Sequence, residues 1–157
     1  CFVFRYDSHF LALKNIFEQI DVDSYDLFFC CLDNSLQEFV KKNLDEKIKI
    51  IKVFRVGETF NFQFSVFNSL VDYFLFDTDS KAFGGTGKTF DWQILNEIEI
   101  PIPYFLSGGI SLENIHQLST INQQPLALDI NSKFETEPEI KNLEKIKNFT
   151  QIVKKIY

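Results

Sequence analysis

The sequence is poor in the features that mark several classes of protein. It has no methionine, a single tryptophan and no apolar run approaching the roughly 18 residues that a membrane-spanning helix needs. No signal peptide heads it. Its three cysteines, two of them adjacent as Cys30 and Cys31, form neither a disulfide framework nor the CxxC spacing of a metal site. We therefore expect a cytoplasmic protein with no membrane contact and no metal.

The charge balance and the aromatic content narrow the possibilities further. Acidic residues outnumber basic ones, 22 to 16, and the net charge is −6. The basic residues are spread through the chain, which argues against a nucleic-acid partner. The 19 phenylalanines are interpreted as core bulk. At 157 residues the chain is expected to be one domain, 1–157, although its start in a strand at Cys1 suggests a piece of a longer protein.

Apolar strands and helical repeats alternate along the chain about every 25 residues. This alternation predicts six β/α units, a parallel sheet and helices outside it. Six units alone suit either a doubly wound sheet or part of a barrel. The predicted strands are Cys1 to Phe4, Leu27 to Cys31, Ile48 to Val56, Tyr73 to Asp77, Pro103 to Leu106 and Leu126 to Asp129.

Helix-start patterns support this alternation. Ser35 to Glu38 and Thr136 to Glu139 both have the capping-box pattern, and Pro138 suits a first helical turn. The last helix is therefore predicted to begin near Thr136. Further helices are expected between the first and second strands and between the third and fourth strands. Two more are expected from Trp92 onward and near Leu112 to Leu118. The residues that the last helix is expected to bury are Leu143, Ile146, Phe149, Ile152 and Val153.

Polar residues follow three of the predicted strands. Asp77 ends the fourth strand, Ser107-Gly108-Gly109 follow the fifth, and Asp129 to Ser132 end the sixth. The carboxyl ends of parallel strands lie on one face, so these groups can converge on a ligand. Glycine N–H groups and nearby helix starts are typical of a phosphate site. Taken singly, each glycine pair can also be a tight turn, and each aspartate a structural residue or a helix cap.

Two further features admit alternative interpretations. Arg55, near the end of the third strand, can neutralise a carboxylate or phosphate or form an ordinary surface ion pair. Ala82 to Thr89 read AFGGTGKT, one substitution from the phosphate loop of nucleotide triphosphatases. That loop should follow its strand directly, yet four residues intervene after Asp77. A nucleotide triphosphatase is therefore the less favoured alternative.

Three segments together resemble one family. LFDTDSKAFGGTGKTFDW, PYFLSGGISLENI and LALDINSKFE, in this order and spacing, resemble the phosphoribosylanthranilate isomerases of tryptophan biosynthesis. The resemblance implies an α/β (β/α)8 TIM barrel, with six of its eight units present, from the third strand to the eighth helix. It implies an Amadori rearrangement of N-(5′-phosphoribosyl)anthranilate to the carboxyphenylamino-deoxyribulose phosphate, without a cofactor.

The resemblance also implies roles for individual residues. Asp77 matches the general acid. Asp129 would lie near the anthranilate end of a sugar-phosphate substrate, and Arg55 lies in a segment similar to the family's fifth strand. Phosphate binding is implied for Gly108, Gly109, Asn131 and Ser132, with Gly85 and Gly87 closing the loop over it.

The resemblance also shows departures. The family's usual QLHG reads Phe29 to Leu32 here, and Lys133 and Glu139 replace glycines. The KVCG segment with the family's general-base cysteine would precede Cys1. We therefore expect the chain alone to be inactive and to self-associate through open sheet edges. A non-catalytic phosphate-binding module is the alternative to an isomerase.

Overall fold

A computed structural model describes residues 2–5, 27–31, 49–57, 64–67, 69–78 and 89–157. The predicted helices after the first and second strands, with the Ser35 cap, lie outside these ranges, as do Gly85 and Gly87. Within the ranges, no helix has the length and apolar character needed to cross a membrane. The chain divides into two compact units: residues 1–54 with 63–75, and residues 55–62 with 76–157.

The first unit contains two whole strands and the first parts of two others. β1 is Phe2–Arg5, β2 is Leu27–Cys31, and β3, Lys49–Val56, begins in this unit, as does β4, Tyr73–Thr78. They pair in chain order, and β1 with β2 and β2 with β3 are parallel. Asp72 anchors the start of β4, because its carboxylate accepts from Ile50 N at 2.9 Å and from Lys49 Nζ at 3.2 Å.

Phenylalanines pack the described core of this unit, which confirms the interpretation as core bulk for Phe54, Phe67 and Phe74. Phe54 makes edge-to-face contacts with Phe64, Phe67 and Phe74 at centroid distances of 5.6, 5.7 and 5.1 Å. The short 3₁₀ helix Phe64–Val66 stands where a weak helix was predicted. Lys52 is buried, and its ammonium lies 4.9 Å from the Phe67 ring centroid. This cation–π contact stabilises the charged form of the lysine.

The second unit continues the strand pattern with the end of β4, then β5, Tyr104–Leu106, and β6, Ala127–Leu128. The order is β4-β5-β6, and β5 and β6 are parallel. The predicted helices after β4 and β5 are 3₁₀ helices, Trp92–Glu97 and Ile115–Thr120. The core of this unit consists of buried residues from these helices and strands, namely Phe76, Trp92, Leu95, Tyr104, Leu106, Ile115 and Leu118. Phe134, after β6, is buried too.

The segment after β6 differs from the prediction. Ser132–Phe134 is a 3₁₀ turn, and β7, Glu135–Glu137, pairs antiparallel with β8, Ile140–Lys141. The last helix, α1, begins later, at Leu143, and ends at Ile156. Asn142 caps it by accepting from Lys145 N at 3.0 Å. The last helix is therefore present as predicted, but its predicted start near Thr136 was wrong, because residues 135–141 pair as a hairpin.

The burial of α1 follows from this later start. Phe149 is buried against Phe134, at a ring-centroid distance of 4.8 Å. Ile146, Ile152 and Val153 are half-buried. The predicted burial of Leu143 was wrong, because this residue opens the helix and is 77% exposed.

Candidate active site at the strand ends of the second unit

Asp77 lies at the carboxyl end of β4, as predicted. Its carboxylate is half-buried, and Oδ1 accepts a hydrogen bond from Thr78 N at 2.9 Å. The next side chain, Thr78, accepts from Phe90 N at 3.1 Å through Oγ1. A local backbone bond thus orients the carboxylate. The threonine ties the strand end to Phe90, two residues before the 3₁₀ helix Trp92–Glu97.

The Ser107-Gly108-Gly109 segment begins where β5 ends. Ser107 N donates to Phe76 O at 2.8 Å, which sets this segment beside the end of β4. Gly108 and Gly109 have φ angles of 87° and 70°, in the left-handed region that favours glycine. A Cβ on residue 108 would lie 2.3 Å from Thr78 Oγ1. Glycine is therefore required at position 108 by both backbone conformation and space.

Asn114 holds this glycine segment, a role that we did not predict from the sequence. Its Oδ1 accepts from Ser111 N at 2.8 Å, and its Nδ2 donates to Gly109 O at 3.0 Å. The available signal was the spacing of Ser111 and Asn114 at a predicted helix start. Nearby, a hydrogen bond from Ser111 is the main cause that lowers the pKa of the Glu113 carboxyl. The loop after β5 is thus braced by its own following turn.

Asp129 lies just after β6 and joins the same set of strand ends. Asp129 N donates to Leu106 O at 2.8 Å, and Ser107 Oγ donates to Asp129 Oδ2 at 3.0 Å. Ser107 is buried, at 5% exposure, whereas Asp129 is exposed, so the bond holds the carboxylate from its buried side. The predicted convergence of the ends of β5 and β6 is therefore present as a direct side-chain contact.

Asn131 and Ser132 follow Asp129 in a tight turn. Phe134 N donates to Asn131 O at 2.9 Å, which closes the 3₁₀ turn. Lys133 lies in this turn without a positive φ, so lysine in place of the family's glycine adopts an ordinary backbone conformation here. The side-chain oxygen of Asn131 accepts from Lys141 Nζ. Nothing local in the sequence pointed to Lys141, because ten residues separate the partners.

Several hydrogen-bond donors at these strand ends have no acceptor in the part of the chain that the structure describes. They are the N–H groups of Gly108 and Gly109, the Asn131 Nδ2 group and the Ser132 hydroxyl. Neutral donors that carry no protein acceptor are suited to an anion such as a phosphate. Within the described ranges, no group of three or more His, Cys, Asp or Glu side chains could hold a metal ion.

The other predicted site residues are Arg55, Gly85 and Gly87. Arg55 is half-buried one residue before the end of β3, and the described contacts of Asp77 do not include it. Gly85 and Gly87 lie outside the described residues, so their predicted role stays a prediction.

Comparison with known proteins adds independent findings. A family model described as N-(5′phosphoribosyl)anthranilate (PRA) isomerase matches residues 15–152. The isomerase of Parabacteroides distasonis is 41% identical over 104 residues, 65% of this chain and 47% of that protein. The Staphylococcus aureus isomerase is 36% identical over 119 residues, 76% of this chain and 55% of that protein. The chain spans about half the length of these curated relatives.

A solved structure shows the fold. The crystal structure of phosphoribosyl anthranilate isomerase from Thermus thermophilus has a TM-score of 0.66 to this chain at 18% identity. The match covers 83% of this chain and 62% of that one. It confirms the predicted α/β class and its TIM-barrel type.

Proposed function

The chain belongs to the N-(5′-phosphoribosyl)anthranilate isomerase family, and we propose that it serves the Amadori rearrangement of that substrate in tryptophan biosynthesis. The reaction is an aldose–ketose isomerisation that yields the carboxyphenylamino-deoxyribulose phosphate. The observation that carries the proposal is the close approach of Thr78 and Gly108. It sets the strand end that bears Asp77 beside a glycine segment whose N–H groups have no acceptor among the described residues.

Asp77 is the proposed general acid. Its proton would pass to the furanose ring oxygen while the bond from C1′ to that oxygen breaks, which gives an open-chain Schiff base. A base, which we do not assign among the described residues, then removes the C2′ proton, and the enolamine tautomerises to the ketone. A carboxyl group is suited to the first step because its hydrogen-bond reach matches a ring oxygen held at the strand ends.

The phosphate of the substrate is proposed to bind to the hydrogen-bond donors that follow β5 and β6. The N–H groups of Gly108 and Gly109, the Asn131 amide and the Ser132 hydroxyl supply neutral donors. In TIM barrels the loops after the last two strands commonly bind phosphate, and these residues follow β5 and β6. Gly85 and Gly87 are proposed to close over the phosphate.

Asp129 is proposed to lie near the anthranilate end of the substrate. Its Oδ2 is held by Ser107 Oγ, so the carboxylate is positioned before substrate binds. Arg55 is proposed to neutralise an anionic group of the substrate. No cofactor is required by this chemistry, since the rearrangement moves protons within one molecule.

Binding of the reaction product tests the site without requiring turnover. Calorimetry with the carboxyphenylamino-deoxyribulose phosphate should show binding by the chain, whereas Mg²⁺-ATP should not bind. Binding of Mg²⁺-ATP with no binding of the product would instead support the nucleotide triphosphatase.

Turnover tests the acid. In the complete protein, Asp77→Asn should abolish conversion of N-(5′-phosphoribosyl)anthranilate, followed by chromatography, while product binding persists. Asp91→Asn is the matched control, because Asp91 caps the 3₁₀ helix Trp92–Glu97 by accepting from Gln93 N and has no role in the proposed reaction. Equal rates for Asp77→Asn and the unaltered protein would exclude Asp77 as the acid. Product binding without turnover of any kind would favour the non-catalytic phosphate-binding module.

Self-association is proposed through the edge of β6. In the described structure this strand pairs with β5 and ends the strand order, and the preceding Leu126 is 61% exposed. Sedimentation should show association that rises with concentration and weakens in Leu126→Lys, but not in Leu143→Lys on the helix. A monomer at every concentration would contradict the proposal.

A cytoplasmic location is also proposed, and cell fractionation tests it.

A further inference from the structure

A lysine on the hairpin after β6 contacts the proposed phosphate site. Lys141 Nζ donates to Asn131 Oδ1 and to Glu135 Oε1, the latter at 2.5 Å. Lys141 and Glu135 are register partners across the antiparallel pair of β7 and β8. The Glu135 side chain is 17% exposed and that of Lys141 39%, so the ion pair is partly shielded from water. The hairpin therefore holds the ammonium against Asn131.

The contact determines the orientation of the Asn131 amide. An ammonium group donates hydrogen bonds and accepts none, so the amide atom that faces Lys141 has to be the oxygen. The Nδ2 group is then the free end of the amide, and it has no acceptor in the described part of the chain. A phosphate oxygen accepts hydrogen bonds, so only the Nδ2 end of the amide can bind it. Without Lys141 the amide could turn and present its oxygen, which would repel the anion.

We propose that Lys141 is a positioning residue that presents the Asn131 Nδ2 group to the phosphate of a phosphate-monoester substrate. This inference rests on the proposed function and adds to it a residue ten positions beyond the predicted phosphate turn. Lys141 acts through Asn131, while Glu135 holds Lys141 in place. The tight turn at Pro138 and Glu139 brings β8 back along β7 and so places Lys141 opposite Glu135.

The experiment measures affinity for the carboxyphenylamino-deoxyribulose phosphate and for inorganic phosphate by calorimetry. The variants are Lys141→Met, Asn131→Ala and the double variant, each checked by urea unfolding. Lys147→Met is the matched control, because it removes the same charge from an exposed position on α1. Lys141→Met should weaken binding of both ligands by about 10- to 100-fold, as expected for the loss of one hydrogen bond to a charged group.

The double variant separates positioning from direct contact. In the Asn131→Ala background, Lys141→Met should change affinity by less than about two-fold, because the residue through which it acts is gone. Lys141→Arg should retain most of the affinity, since a guanidinium also only donates. In NMR spectra, the Asn131 side-chain amide signals should shift in Lys141→Met without ligand, and stay unchanged in Lys147→Met.

Other results would overturn the proposal in distinct ways. Wild-type affinity in Lys141→Met would show that Lys141 does not position Asn131. An equal loss of affinity in both backgrounds would show that the ammonium contacts the anion itself. Failure of the unaltered chain to bind either ligand would contradict the proposed function as well. Binding of both ligands with no effect of Lys141→Met would contradict this inference alone.

Discussion

Thr78 and Gly108 approach so closely that a Cβ atom on residue 108 would lie 2.3 Å from Thr78 Oγ1 and 2.6 Å from Thr78 N. The two residues stand at the ends of neighbouring strands, β4 and β5. The contact sets the residue after Asp77 against the glycine segment, whose N–H groups have no acceptor within the described ranges. The close approach of Gly108 to Thr78 thus places the proposed acid near the proposed phosphate donors.

Gly108→Ala should therefore destabilise the protein strongly. The left-handed backbone costs about 1–2 kcal/mol for an alanine, and overpacking against Thr78 adds about 1–3 kcal/mol. The free energy of unfolding in urea should fall by about 2–5 kcal/mol, with loss of phosphate binding. Gly109→Ala, where φ is also positive, measures the backbone cost. An equal effect at both positions would show that the contact with Thr78 does not matter.

Asn114→Ala should weaken both stability and phosphate binding. It removes the bonds to Ser111 N and Gly109 O, and leaves the buried Ser111 without that acceptor. The expected loss of unfolding free energy is about 1–3 kcal/mol. Asn96→Ala is the matched control, because Asn96 bonds Gln93, Thr120 and Asn122 away from the site.

The pair separates folding from function. Asn96→Ala should lower stability by a similar amount and leave phosphate affinity unchanged, as measured by urea unfolding and calorimetry. If both variants lost affinity equally, the loss would come from stability alone and the proposed role of Asn114 in the site would be wrong.

Glu139→Gly should stabilise the protein. Glu139 has a φ of 70° in the turn between β7 and β8. Relief of about 1–2 kcal/mol of left-handed strain exceeds the roughly 0.4–1 kcal/mol that glycine adds to unfolded-chain entropy. The net gain should be about 0.5–1 kcal/mol in thermal or urea unfolding. Glu137→Gly, on a strand without positive φ, should instead destabilise it, and a gain at both positions would contradict the strain argument.

Stability should decline at alkaline pH because of a buried tyrosine. Burial, with a smaller contribution from Tyr157, raises the pKa of Tyr104 above its ordinary value. A raised pKa in the folded state means that unfolding becomes easier as the pH rises above the unfolded value of about 10, while below it the contribution is fully present. Burial raises the pKa of Tyr157 too, so it acts in the same direction.

Urea unfolding between neutral and strongly alkaline pH measures this effect. Tyr104→Phe loses the hydrogen bond to Gln123 O, yet its stability should fall less steeply with pH than that of the unaltered chain. Tyrosinate absorbance should show late ionisation of one residue that is missing in the variant. Parallel pH profiles for the two proteins would rule out Tyr104 as the source.

The sequence was most reliable where local pattern and environment agree. Segments rich in apolar residues predicted β3 and β4 to within one residue at each end, because the composition of a buried strand is set by its own local environment. The capping-box pattern at Thr136 predicted the wrong helix start. The backbone N–H and C=O groups that a helix would satisfy there can equally be satisfied by a hairpin. The choice depends on Lys141 and Glu135 pairing across that hairpin.

The sequence by itself determined the α/β alternation, the family and the kinds of group at the strand ends, because these depend on residue type and spacing. Only the tertiary structure decided which of those groups touch. Ser107 bonds Asp129, Asn114 holds Gly109, and Lys141 orients Asn131. The Ser107 and Lys141 contacts join residues 22 and 10 positions apart, whereas Asn114 and Gly109 lie in one loop. In all three, hydrogen bonds select partners by distance and direction, which residue type alone does not encode.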